Sequence, residues 1–168
     1  MTGFMRRYVA IIDAINYRLG RVVMYGIFAI IAILLWSSIS KTFFLPSLWT
    51  LEMAQFAMVA YYMLGGPYAM QMGANVRMDL FYHRWSDRRK AWFDAFTVLF
   101  LMFYLGVLLY GAMDSASYAL EYNERSNTVW RPYMWPIKLV VVLGVTLMLL
   151  QAISEFFKDV ARLRGVTL

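Results

Sequence analysis

Four times the chain runs through long apolar stretches with no Asp, Glu, Lys or Arg: residues 22–40, 53–76, 95–113 and 139–154, of 19, 24, 19 and 16 residues. A hydrocarbon layer of about 30 Å needs roughly 20 apolar helical residues, each adding about 1.5 Å. The pattern predicts an all-α membrane protein with four transmembrane helices, over about 21–40, 52–76, 92–114 and 136–155, in one domain covering 1–168. The fourth span reaches full length by including Pro136 and Ile137, with Lys138 reaching outward along its apolar stem. In the segment 1–21, Phe4, Tyr8, Ile11, Ile12, Ile15 and Leu19 share one helical face and Arg6, Asp13 and Arg21 lie off it. That spacing predicts an amphipathic interfacial helix resting in the cytoplasmic headgroup layer.

Composition strengthens this picture. The chain is 62% hydrophobic and 18% aromatic, with a mean hydropathy of +0.56, outside the range of ordinary soluble domains. Its net charge of +6 sits at the predicted membrane edges rather than on one nucleic-acid-binding motif. Arg6, Arg7, Arg18 and Arg21 precede the first span, Arg77, Arg84, Arg88, Arg89 and Lys90 lie between the second and third, and Lys158, Arg162 and Arg164 follow the fourth. The other two loops hold Lys41, Arg125, Arg131 and Lys138. The positive-inside rule then places both termini and the second loop in the cytoplasm, and loops one and three outside. A signal-peptide reading of the N-terminus is rejected, because the first charge-free run exceeds the 7–15 residues of a signal core and three more spans follow.

Within the second span Gly65, Ala69 and Gly73 recur every fourth residue, a smooth stripe for close helix approach, either inside the bundle or against another subunit. Pro67 predicts a kink there. The third helix is predicted from about residue 87 to 120, near 50 Å, so that its outer end projects beyond the bilayer. Glu52 opens helix two and Lys138 opens helix four on the outer side, so Lys138 could pair with Glu52 or with Asp114, or each could extend to water.

The spans hold no ionisable group at mid-depth, which disfavours a self-sufficient proton pump or secondary transporter. Small multidrug exporters carry a glutamate in their first helix, and 22–40 has none. His83 is the single histidine, in a cytoplasmic loop, so paired haem ligation is absent, and no phosphate loop, hydrolase elbow or metalloprotease motif occurs. With no cysteine either, enzymatic function is disfavoured and no cofactor or metal is expected.

The ordered boundary motifs resemble the small membrane subunit of tripartite ATP-independent periplasmic (TRAP) transporters, the DctQ-like family. They are Trp49-x-x-Glu52, Asn75-Val76-Arg77-Met78-Asp79, Glu124-x-Ser126-x-Thr128-x-Trp130-x-Pro132 and Trp135-Pro136-Ile137-Lys138. One departure is Asn75, where many members carry histidine. The resemblance implies a non-catalytic subunit in the bacterial inner membrane. Its partners would be a roughly twelve-span large permease, which holds the sodium and substrate sites, and a periplasmic binding protein delivering an organic acid. With the small-residue stripe, this gives Glu52, Gly65, Ala69, Gly73, Arg77, Asp79 and Lys138 as the expected large-subunit interface, and Glu121, Glu124, Arg125, Trp130 and Arg131 as the expected periplasmic docking surface. The competing reading is an independent four-helix channel or structural membrane protein.

Overall fold

The computed structural model describes residues 2–73 and 87–163, all helix or short turn. The helices are α1 (Thr2–Met24), α2 (Gly26–Phe43), α3 (Thr50–Gln71), α4 (Asp87–Glu121) and α5 (Trp135–Leu163). Among the described residues, the stretch Gly3–Phe43 and the helices Phe96–Glu121 and Trp135–Leu163 are long and apolar enough to cross a membrane. α3, at about 33 Å, is long enough as well, but Glu52, Gln55, three tyrosines and Gln71 make it more polar.

The predicted boundary at Arg21 falls instead at Tyr25. There the regular ladder gives way to tighter bonds, Tyr25 N–H to Val22 O at 3.2 Å and Phe28 N–H to Tyr25 O at 3.1 Å. The bend does not interrupt packing on α3. Ser37 meets Thr50, Gly26 meets Tyr61, Val23 meets Gly65, Gly20 meets Tyr68 and Asp13 meets Gln71, so α3 runs antiparallel to α1 and α2 along its whole length. Gly20 is required at the tightest point, because a Cβ there would lie 2.3 Å from the Tyr68 ring.

α5 runs parallel to α3 on its other side. A Cβ at Gly144 would sit 2.8 Å from both the Cβ and the carbonyl oxygen of Met63, so the backbones all but touch. Sequence explains which carbonyl is available: Pro67 has no amide to offer the oxygen four residues earlier, which is that of Met63. The glycine that fits this spot brings a Cα hydrogen toward that oxygen. Gly66 lies against Met148, where a Cβ would meet Sδ at 3.0 Å. The anticipated stripe does less: Gly65 sees Val23 only at 4.0 Å, and Gly73 lies past the end of α3 with φ +64° and nothing within 4 Å of a Cβ. α3 thus stops at Gln71, short of the predicted 76, and runs through Pro67 as one continuous helix.

α4 packs antiparallel on α5 through a core of Leu105, Val145 and Ala152 and meets no other helix to any extent. The result is a row, α2 beside α3 beside α5 beside α4, with α1 lying across the α3 and α5 ends farthest from the α4–α5 turn. α1 is inverted relative to a soluble helix. Asn16 is 1% exposed and points into the protein, while Phe4, Ile11 and Ile15 point away. Lipid solvates apolar side chains, so the inward face is where polar groups find partners.

Candidate partner interface

At the α1 end, Asp13 gathers three donors. Its Oδ1 accepts from Gln151 Nε2 at 3.0 Å and Ser154 Oγ at 3.0 Å, and its Oδ2 pairs with Lys158 Nζ at 2.8 Å. Gln151, fully buried, also donates to Glu155 at 3.0 Å and accepts from Asn16 Nδ2 at 2.7 Å. Lys158 bonds Glu155 too, at 2.8 Å, and Gln71 Nε2 reaches the Asp13 carbonyl at 3.2 Å. Tyr8 adds a bond from its hydroxyl to Leu150 O at 3.2 Å and an edge contact with Phe157. Among the buried side-chain atoms of the described residues in this junction, the Asn16 and Gln71 carbonyl oxygens lack a donor. Sequence reading missed the whole network. Its signal was the polar run Gln151, Ser154, Glu155 and Lys158 on one side of α5, matched by Asp13 and Asn16 one turn apart on α1.

At the opposite end the α4–α5 turn folds back as a small hairpin. Glu124 N–H bonds Ala119 O at 3.2 Å, Met134 N–H bonds Glu124 O at 2.9 Å, and Ser126 N–H bonds Pro132 O at 3.0 Å. This geometry hands Glu124 to Lys138, whose ammonium pairs with the carboxylate and also reaches Ser115 O at 3.4 Å. Lys138 therefore takes neither expected partner: Glu52 is not its counter-ion, and Asp114 is exposed without it. Arg125 donates to the Tyr133 hydroxyl and stacks over that ring, 4.2 Å from its centroid. Glu124 and Arg125 are thus engaged internally. Glu121, Val129, Trp130 and Arg131 remain at the surface, with Arg131 held at φ 50°.

Beside the hairpin, α2 and α3 are joined by hydroxyls. Ser40 Oγ lies 3.0 Å from Ser47 Oγ, Ser47 Oγ 3.2 Å from Thr50 Oγ1, and Thr50 Oγ1 3.1 Å from Ser37 Oγ. Glu52, in the first turn of α3 where the helix dipole favours an acid, is only 7% exposed, and its Oε2 has no hydrogen-bond partner. Of the residues anticipated at the large-subunit interface, Gly65 and Ala69 lie on α3, half-buried, and Gly73 caps it. Arg77 and Asp79 lie outside the described residues.

The family model for the DctQ component of tripartite ATP-independent periplasmic transporters matches residues 21–162. The chain belongs to the DctQ family. Neither a curated protein nor a solved structure matches it. The match takes in α2 to α5 and the described loops between them. As a DctQ protein it is a membrane component of a TRAP transporter, associated with the other components of that system, and the family is generally non-catalytic.

Proposed function

We propose that this DctQ protein is the small, non-catalytic subunit of a sodium-driven TRAP transporter for organic acid uptake. It scaffolds the large permease and helps the periplasmic binding protein to dock. The observation that carries the reading is the family match across 21–162. In this reading four spans cross the bacterial inner membrane: the α1–α2 stretch, α3, α4 and α5. Both termini are cytoplasmic, supported by the basic residues at the α1 end and the positive-inside rule. The hairpin end then faces the periplasm and offers Glu121, Trp130 and Arg131 to the binding protein, on a turn stiffened by Lys138–Glu124 and Arg125–Tyr133. Sodium and substrate sites belong to the large permease.

Reconstitution tests it. Vesicles holding this chain with its cognate large permease and binding protein should take up an organic acid down a sodium gradient. Vesicles lacking this chain should not. Uptake by vesicles holding this chain alone would overturn the proposal.

A further inference from the structure

Lipid-facing helices and partner-facing helices differ in what they leave uncovered. The free side of α4 shows Phe96, Phe100, Phe103 and Val107 with Tyr104 and Tyr110, exposed and free of any amide, acid or base, as a surface against acyl chains should be. α3 is different. Leu51, Gln55, Met58 and Tyr62 are spaced by four, three and four residues and so form one stripe, and all four are exposed. The α1–α2 stretch covers the side of α3 carrying Tyr61, Gly65 and Tyr68, and α5 covers the side carrying Met63 and Gly66, so the stripe lies open between them. Within the described residues, neither the Gln55 amide nor the Tyr62 hydroxyl makes a hydrogen bond.

Depth sharpens the contrast. Gln55 lies about 8 Å and Tyr62 about 18 Å along α3 from Thr50, so both fall at bilayer depth if α3 spans. An amide facing hydrocarbon there would be unpaired and costly, whereas membrane helices commonly use Gln to bond a neighbouring helix. α3 is also the helix, among those after the α1–α2 stretch, that is not apolar enough to stand as a membrane span by itself. Its polarity belongs to a helix enclosed by protein, yet one side of it is bare in the single chain.

We infer that the stripe Leu51–Gln55–Met58–Tyr62 docks against a helix of the large permease that presents hydrogen-bonding groups opposite Gln55 and Tyr62, spaced about 10 Å along the axis. This rests on the reading of the chain as a permease subunit with α3 crossing the membrane.

A photoreactive phenylalanine analogue placed at position 58 or 62, with position 103 as control, tests it in the full chain co-expressed with its cognate large permease. Positions 58 and 62 should give adducts with the permease, and position 103 none. The double variant Gln55→Leu, Tyr62→Phe should lower permease recovery about threefold per lost bond, roughly ninefold in all, while the isolated variant melts no lower than the unsubstituted chain. Adducts only with a second copy of this chain, adducts only with lipid, or unchanged recovery in the double variant would overturn the assignment. If the unsubstituted chain fails to bring down the permease, the subunit reading falls and the inference with it. If recovery is normal but the stripe gives no adduct, the inference alone fails.

Discussion

Replacing Asp13 with alanine removes the hub of the α1–α5 junction. Three donors lose an acceptor at once: Gln151 Nε2, Ser154 Oγ and Lys158 Nζ. Gln151 and Ser154 are fully buried, so water cannot replace the carboxylate for them without opening the junction. Each unsatisfied buried donor costs about 1–3 kcal/mol. Lys158 suffers less, because its side chain is 23% exposed and keeps Glu155, and breaking a wholly buried pair, at about 3–5 kcal/mol, is an upper bound for it. Gln151 also keeps Glu155 and Asn16. The expected net loss is about 2–4 kcal/mol. In detergent micelles the melting temperature should fall by roughly 5–15 °C, at about 2–4 °C per kcal/mol for a chain of this size. Limited proteolysis should release α1 before any other helix. A double-mutant cycle of Asp13→Ala with Lys158→Ala isolates the ion pair, with an expected coupling of about 1–2 kcal/mol. A melting point within 1 °C of the unsubstituted chain, with α1 still protected, would refute the claim that this network holds α1 in place.

Other substitutions have equally definite expected outcomes. Gly144→Val should disrupt α3–α5 packing, because its side chain meets the Met63 backbone, at a cost of a few kcal/mol seen as a lowered melting point. Gly65→Ala should change stability by under about 0.5 kcal/mol, since Val23 is the nearest group at 4.0 Å; a large loss would restore the glycine stripe as a close-approach site. Lys138→Ala should loosen the α4–α5 hairpin by about 1–2 kcal/mol, read as faster amide exchange at Glu124 and Met134, and Lys138→Glu with Glu124→Lys should restore protection. Arg131→Gly should raise stability by about 0.5–1 kcal/mol by relieving the φ 50° backbone, while Trp130→Ala should leave stability unchanged and weaken binding-protein capture.

Much of the helix content was legible because lipid imposes one severe rule, an uncharged stretch of span length, and every described residue of the charge-free runs up to Gln71 and from 95 onward, apart from the turn residue Tyr25, falls on a helix. The long α4 was legible too, since the pattern from residue 87 to 120 matches Asp87–Glu121. The role of α1 was not. Apolar periodicity identifies a buried face only when the outside is water; with lipid outside, Phe4, Ile11 and Ile15 could turn outward while Asp13 and Asn16 turned in. The partner of Lys138 was hidden for a different reason. Glu124 reaches it only because three backbone bonds fold the hairpin back, and charge position along the chain does not encode that fold. Close approach was also mislaid, since Gly144 earns its place from a carbonyl freed by a proline in another helix rather than from a four-residue repeat in its own.

The Asn16–Gln151 bond joins groups 135 residues apart. At roughly 5–20 residues per second, synthesis leaves the first helix for about 7–27 seconds before its polar partner exists. Through that interval the Asp13 and Asn16 side chains lack their α5 partners, and water at the headgroups is their natural refuge. The N-terminal segment is therefore expected to seat last, after the final helix has inserted, which makes its docking a marker of a finished subunit.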